Sequence, residues 1–513
     1  MIGKTYESRL KNSKRNIYAG LFRQLINIFL NFVIRTVILY TLGVEYQGLS
    51  GLFTSILQAL NMTELGFAAA VTFVLYRPIA EDDTPTICAI MAFLKKVYKV
   101  MGLIILVAGL IIMPFLPHLI NGSYPSEINI YALYAIYLTN AVVSYMLYAY
   151  KSTLLTAMQR IDLVSNAYTI TNTAGKILQI LILILFKNYY VYVFLILAGS
   201  IANNIMVEII SRKVYPKIIA QGNISPEIKG SIIKQVKAIF INKIGDVARN
   251  SFDNIVLSAF VGLTAVAVYD NYYYIYSALY GVMGIIVQSL KASIGNSLVK
   301  ESVDKNYSDL LKFNFIFMWI VGWCSVCLFA LYQPFMMIWM GGKSELILSF
   351  TDMTLFCLYF YSISMAYTKN AYLEAQGLFH ESRVLYILEA IGNLILNIIL
   401  CKFLGVTGIL IATIVTIFVF NFAGGTIVLF MYYFKRTSKQ FAMHHCIYFI
   451  VTVIAGIVTN IVCQQVPLDG IVGFGLRFGI CILLPNIIYT VAYFKLPQFN
   501  SMKMIIKRFI GRK

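Results

Sequence analysis

Long hydrophobic segments recur about fourteen times along the chain, each close to the roughly 20 residues that a membrane-crossing helix needs. Short polar stretches separate them, and few segments show the regular charged face of a soluble amphipathic helix. The first segment is too long for the core of a cleaved signal peptide, so we expect it to be retained as a membrane helix. The predicted segments are 17–42, 48–75, 98–120, 129–150, 163–186, 191–211, 239–262, 266–290, 312–334, 350–372, 384–404, 408–434, 443–465 and 470–494.

Basic residues are concentrated at both ends of the chain and in every second connection between the apolar segments. Lys and Arg close to a membrane segment are retained on the cytoplasmic side. Both termini are therefore expected to be cytoplasmic, and the number of crossings is expected to be even. The terminal basic residues are Lys4, Arg9, Lys11, Lys14, Arg15, Lys503, Lys507, Arg508, Arg512 and Lys513.

A long basic connection after the sixth segment divides the first twelve segments into two sets of six. Two six-helix halves are a recurring plan among transporters. The predicted fold class is an all-α polytopic membrane protein with about 14 transmembrane helices. Its expected parts are an N-terminal six-helix lobe at 1–211, a cytoplasmic basic inter-lobe loop at 212–238, a C-terminal six-helix lobe at 239–434, and an extra helix pair with a basic cytoplasmic tail at 435–513.

The composition is typical of a membrane protein, because 59% of the 513 residues are hydrophobic and only 12% are charged. The net charge of +19 follows from the topology, since the basic residues lie in short loops without a nucleic-acid-binding motif. No phosphate-binding loop, nucleophile elbow or metalloprotease motif occurs, so we do not expect an enzyme. Cys324 and Cys327 form a CxxC pair at lipid depth without flanking ligands, and we expect neither a metal nor another cofactor.

Polar residues form a stripe along the first segment, where Arg23, Asn27, Asn31 and Arg35 are spaced four residues apart. At 3.6 residues per turn they share one slowly drifting face. Snorkelling of the cations and hydrogen bonding between helices would explain such a stripe in structural terms. A continuous row of cations and amides is better explained by a water-filled cavity. Lys176, in the fifth segment, adds another cation at membrane depth.

The seventh segment carries Lys243, Asp246, Arg249 and Asp253 at steps of three, three and four residues. These steps allow pairing of opposite charges along one side, so a self-neutralised structural ladder and a role in binding are both consistent with the pattern. Glu64, at the end of the polar face of the second segment, is a further carboxylate. In the eleventh segment, Glu389, Asn393 and Asn397 repeat the four-residue spacing.

Polar faces from several segments predict a central cavity with fixed positive charge, which suits an anionic ligand such as a phosphate. We therefore expect a binding site for an anionic headgroup and a separate set of carboxylates that could couple transport to H⁺ or Na⁺. The candidate substrate-binding residues are Arg23, Asn27, Asn31, Arg35, Lys176, Lys243 and Arg249. The candidate ion-coupling residues are Glu64, Asp246 and Asp253.

Several local strings in the first eight segments are more specific than hydropathy alone. They are Glu64-Leu65-Gly66-Phe67, Leu75-Tyr76-Arg77-Pro78-Ile79-Ala80-Glu81-Asp82-Asp83, Lys95-Lys96-Val97-Tyr98, Lys243-Ile244-Gly245, Asp253-Asn254-Ile255-Val256-Leu257-Ser258 and Ser293-Ile294-Gly295-Asn296. These strings resemble bacterial polysaccharide flippases of the Wzx type, and the resemblance covers most of the first eight segments. This family belongs to the multidrug/oligosaccharidyl-lipid/polysaccharide exporter superfamily.

The resemblance implies a fold of two six-helix lobes and a transporter of the bacterial cytoplasmic (inner) membrane. Its implied substrate is undecaprenyl-pyrophosphate-linked oligosaccharide, moved to the outer leaflet by alternating access for capsule or O-antigen-type polymers. The implied partners are the lipid-linked oligosaccharide, the bilayer, H⁺ or Na⁺, and polymerase or glycosyltransferases of the same pathway, with no nucleic acid. A cation-coupled drug or metabolite antiporter of the MATE type, a lipid II flippase and a non-transporting envelope scaffold are the alternatives.

Overall fold

The structure is a computed structural model, which describes residues 24–64, 66–468 and 470–510. The side chains of Thr63, Ala238, Ala292, 241–250, 288–290 and 505–510 lie outside the described part. Helix accounts for 87% of the structure, and the described residues contain no strand. The prediction of an all-α protein is therefore confirmed.

Nineteen helices are numbered in chain order. The first half contains α1 Gln24–Thr41, α2 Val44–Leu60, α3 Phe67–Ala80, α4 Thr84–Ile112, α5 Ile130–Met146, α6 Ala149–Ala157, α7 Ile161–Phe186, α8 Tyr189–Val214 and α9 Pro226–Phe260. The second half contains α10 Leu263–Lys300, α11 Val303–Trp339, α12 Phe350–Met365, α13 Tyr367–Ala375, α14 Phe379–Leu404, α15 Val406–Thr416, α16 Gly425–Leu429, α17 Lys439–Gln464, α18 Gly470–Tyr493 and α19 Pro497–Ile510.

Ten helices or helix pairs in the described residues are long and apolar enough to cross a membrane, and the bent pair α5–α6 would make an eleventh. The chain is thus a multi-pass membrane protein. The other predicted segments, 48–75, 239–262 and 266–290, are largely helical as well. A short 3-10 turn interrupts the first of them, and parts of the other two fall outside the described side chains. Fourteen crossings and cytoplasmic termini stay predictions.

The outer faces of the helices are strongly apolar, as expected of surfaces that contact lipid. Leu185 and Phe186 at the end of α7 are 70% and 68% exposed, and Phe403 at the end of α14 is 76% exposed. A soluble monomer rarely exposes large apolar patches, because they cost free energy in water. In a bilayer the same faces contact lipid tails, which are as apolar as the side chains themselves.

The chain divides into two compact units that are described here separately. Unit 1 comprises the described residues up to Phe240 together with Gly262–Ala267, and unit 2 comprises Ile241–Val261 and the described residues from Val268 onward. The predicted inter-lobe loop at 212–238 is shorter than expected, because α9 begins at Pro226. The hydroxyl of Ser225 accepts a hydrogen bond from the N–H of Ile228 at 3.3 Å, and proline is favoured in the first helical turn.

Within unit 2, α14 and α15 approach each other closely at a glycine. A Cβ atom at Gly408 would lie 2.3 Å from the carbonyl oxygen of Leu400 and 2.8 Å from the backbone nitrogen of Cys401. Backbone atoms cannot move aside as the end of a side chain can. A Cβ atom at Gly392, also on α14, would lie 3.5 Å from its nearest neighbour, Phe420 Cε2, which is an ordinary van der Waals distance.

We therefore expect Gly408→Ala to destabilise the protein by about 1–3 kcal/mol, because overpacking forces the two helices apart. Gly392→Ala is the matched control and should change the stability by less than about 1 kcal/mol. Thermal denaturation in detergent, followed by fluorescence-detected size exclusion, measures both. Equal melting temperatures for the two variants would show that this close approach does not constrain the fold.

Candidate functional site

Unit 1 contains a polar cavity of about 430 Å³ between α1, α5, α7 and α8, which we call the unit-1 cavity. Its volume lies within the roughly 300–1,000 Å³ that small-molecule sites occupy. Among its described lining residues, Lys176 is the one with a formal charge. Amide side chains dominate the rest of the polar lining, and they are Asn31, Asn172, Gln179, Asn203 and Asn204.

Lys176 is held at the cavity wall by an amide and not by a carboxylate. Its Nζ donates a hydrogen bond of 2.5 Å to Asn27 Oδ1, which also accepts a hydrogen bond of 3.2 Å from Asn172 Nδ2. No acidic residue in the described part of the chain lies within 4.0 Å of the Lys176 ammonium. The positive charge is therefore solvated by amide oxygen but not neutralised.

The structure describes three residues of the stripe predicted on the first helix, Asn27, Asn31 and Arg35. Asn27 contacts α7 through Lys176 and Asn172, and Asn31 lines the unit-1 cavity. The backbone carbonyl of Arg35 accepts a hydrogen bond from Gln47 Nε2, and Arg35 is not among the described residues that line the unit-1 cavity.

For four of the predicted site residues, either the whole residue or its side chain lies outside the described part of the chain. Arg23 precedes the described range, and the side chains of Lys243, Asp246 and Arg249 on α9 lie outside the described part. Their roles stay predictions.

The cavity face of α7 is set by helical periodicity. Asn172, Gly175, Lys176 and Gln179 follow the spacing i, i+3, i+4 and i+7, which places them on one side of the helix. The sequence pattern identified Lys176 but not its neighbours Asn172 and Gln179. An adjacent Asn203-Asn204 pair inside an otherwise apolar segment was a second signal of the cavity.

Glu64 ends the 3-10 turn between α2 and α3 and is held by two tyrosines of unit 1. Tyr145 donates a hydrogen bond of 2.6 Å to Oε2, and Tyr98 donates one of 3.0 Å to Oε1. The turn itself depends on Gly66, whose φ of 95° favours a residue without Cβ.

Asp253 belongs to a buried polar network in unit 2. It is 3% exposed, and it accepts hydrogen bonds from the hydroxyl of Tyr269 at 2.9 Å and from Asn397 Nδ2 at 2.7 Å. The same Asn397 nitrogen donates to Asn393 Oδ1 at 3.2 Å, and Asn393 Nδ2 reaches Thr413 Oγ1 at 3.2 Å. The stripe predicted on the eleventh segment therefore faces Asp253.

Three buried charges outside the predicted sites accompany these networks. In unit 1, Lys151 Nζ lies 3.7 Å from Glu208 Oε2, with both side chains less than 10% exposed. In unit 2, Lys369 is 1% exposed and donates a 2.7 Å hydrogen bond to the carbonyl oxygen of Asn421, in a π-helical segment at Ile417–Gly424. A Cβ at Gly425 would lie 2.3 Å from that ammonium, so the glycine makes room for the lysine.

Comparison with known proteins shows likeness in structure but not in sequence, because no family model and no curated protein matches the chain. The solved structure of the lipid II flippase MurJ in an inward closed conformation superposes with a TM-score of 0.67 at 16% identity, over 93% of this chain and 98% of that one. An inward-facing multidrug resistance MATE family transporter of the MOP superfamily superposes with a TM-score of 0.63 at 14% identity, over 79% and 94%.

A Vibrio cholerae MATE transporter is similar as well, with a TM-score of 0.55 at 14% identity, over 82% of this chain and 98% of that one. Identities this low relate the folds and not the cargo. The chain therefore shares its fold with this flippase and with these MATE transporters.

Proposed function

We propose that this protein moves an undecaprenyl-pyrophosphate-linked oligosaccharide from the cytoplasmic to the outer leaflet of a bacterial cytoplasmic membrane. Transport proceeds by alternating access, and the unit-1 cavity binds the polar headgroup. The product would supply surface polysaccharide of the capsule or O-antigen type, assembled by polymerase and glycosyltransferases of the same pathway. The observation that carries the proposal is the Lys176 ammonium in an amide-lined cavity, without a described acidic partner.

An unneutralised cation at membrane depth is costly, and a bound anion offsets that cost. Lys176 supplies a point charge for a phosphate. The surrounding amides offer both donors and acceptors, which suits the hydroxyl groups of sugars. The polyprenyl tail needs no site in the cavity, because it can remain in the lipid.

The alternatives differ in the charge and sugar content of the cargo. An exporter of organic cations would be expected to line its cavity with carboxylates, whereas the described lining of the unit-1 cavity contains none. A lipid II flippase carries a headgroup of similar chemistry, so it is the second candidate. Transport assays with lipids that bear different sugars distinguish it from a polysaccharide flippase.

Replacing Lys176 by Met should reduce flipping of the pyrophosphate-linked lipid by about 10- to 100-fold, because a charge-assisted hydrogen bond contributes about 1.5–3 kcal/mol. Lys176→Arg should retain more activity than Lys176→Met, since it keeps the charge. Lys213→Met, at the exposed end of α8, is the matched control and should transport normally. The assay follows access of an impermeant sugar-modifying enzyme to the lipid in proteoliposomes. Normal transport by Lys176→Met would remove Lys176 from the site.

We further propose that Asp253 takes part in ion coupling. Its carboxylate, the amide oxygens of Asn393 and Asn397, and the hydroxyl of Thr413 form an oxygen-rich cluster of the kind that binds hard cations. The Oδ1 of Asn397 is buried without a hydrogen-bond donor, so it is available as a ligand. Proton uptake by Asp253 is the alternative, and a purely structural network is the third possibility.

If Asp253 couples transport, an imposed Na⁺ or pH gradient should change the flipping rate of the unmodified protein in proteoliposomes. Asp253→Asn should abolish that response, because the neutral amide neither binds Na⁺ strongly nor titrates. Glu64→Gln tests the second described carboxylate in the same way. A rate that is independent of both gradients in the unmodified protein would show that the carboxylates are structural and that the lipid equilibrates passively.

A further inference from the structure

The helix pair α5–α6 is broken at Leu147 and Tyr148, where the axis bends by 46°. In a continuous helix the N–H of Tyr148 would donate to the carbonyl of residue 144. The backbone of Leu147, with φ −85° and ψ −113°, breaks that pattern, and the Tyr148 N–H donates instead to the side chain of Asn204 on α8, at 3.3 Å from Oδ1. An amide of a neighbouring helix therefore satisfies the donor that the break exposes.

The same amide lines the unit-1 cavity. Asn204 is 5% exposed, and its Nδ2 donates a 3.0 Å hydrogen bond to the carbonyl of Ser200, which fixes the orientation of the side chain. Ser144, on the last turn of α5 before the break, also lines the cavity. Asn204 therefore both lines the cavity and satisfies the break.

One turn further along α8, Glu208 holds the other side of the break. Its carboxylate lies 3.7 Å from the ammonium of Lys151 on α6, and it also pairs with Arg212. A buried charge that loses its partner is strongly destabilising, so this pair keeps α6 attached to α8. The contact between α6 and α8 therefore stays in place when the geometry of the break changes.

We propose that Asn204 is a positioning residue through which a bound sugar acts on the break between α5 and α6. The sugar draws the amide of Asn204 into the cavity, and its Oδ1 then no longer accepts from the N–H of Tyr148. Binding of the sugar therefore frees the Tyr148 N–H and loosens the joint, while the Lys151–Glu208 pair retains α6 on α8. The inference rests on the proposed function, because it takes the unit-1 cavity as the headgroup site.

Hydrogen–deuterium exchange of the peptide that contains Tyr148, measured in nanodiscs, tests this role. The probe is undecaprenyl pyrophosphate linked to N-acetylglucosamine, compared with undecaprenyl pyrophosphate that carries no sugar. The sugar-bearing lipid should accelerate exchange at Tyr148 about tenfold, the factor expected for loss of one hydrogen bond, whereas the sugar-free lipid should bind without this effect.

Variants separate the positioning role from a merely structural one. Asn204→Ala should show fast exchange at Tyr148 before any lipid is added, and the sugar should not accelerate it further. Asn204→Asp retains an acceptor and should restore slow exchange in the lipid-free protein. Asn203→Ala removes the neighbouring cavity amide, which makes no described contact with the break, and should leave the lipid-free exchange slow.

The outcomes also distinguish the inference from the proposed function. If the sugar-bearing lipid binds in a Lys176-dependent manner and exchange at Tyr148 is unchanged or slower, the role of Asn204 is wrong and the headgroup site stands. If neither lipid binds the unmodified protein, the headgroup site is wrong and the role of Asn204 falls with it.

Discussion

A polar or charged group at membrane depth is stable only where protein groups or enclosed water replace the bulk water that it has lost. The interior of both units follows from this constraint. Asp253 has Tyr269 and Asn397 as donors, Glu208 has Lys151, and Lys369 has the carbonyl of Asn421. In each case the buried charge is matched by fixed groups of the protein.

Lys176 meets the same constraint in a different way. One amide oxygen solvates its ammonium, the described residues supply no counter-ion, and the wall beside it opens into a cavity. A site with an uncompensated charge is stabilised by a ligand of the opposite charge, which is why the cavity and not the buried pairs carries the functional proposal. The amides that solvate the lysine also determine which neutral groups of the ligand can be recognised.

Periodicity revealed much of the architecture, because apolar length identifies a membrane helix and a four-residue spacing identifies a shared face. Asn27, Asn31 and Lys176 were found in this way, and the structure brings them to one wall. The sequence pattern did not identify Asn172 and Gln179, because the polar residues of α7 are spaced in a way that is consistent with more than one polar face. Only the packing of α1 and α8 against α7 decides which face lines the cavity.

Other features left no distinct trace in the sequence. The break between α5 and α6 contains neither proline nor glycine, and it depends on Asn204, a residue that is distant along the chain. Glu208 lies near the end of an apolar helix, where a carboxylate is indistinguishable from one that faces the headgroups until Lys151 is placed beside it. The break and the buried ion pair therefore depend on contacts between separate helices, which the residue pattern of one helix does not reveal.

The measurement that tests the central claim most directly is the distribution of pyrophosphate-linked oligosaccharide between the two leaflets in cells that lack this protein. If the protein is the flippase, the lipid should accumulate on the cytoplasmic leaflet and surface polysaccharide should be lost, and the unmodified gene should restore both. An unchanged pool of the lipid on the outer leaflet, with normal surface polysaccharide, would contradict the account.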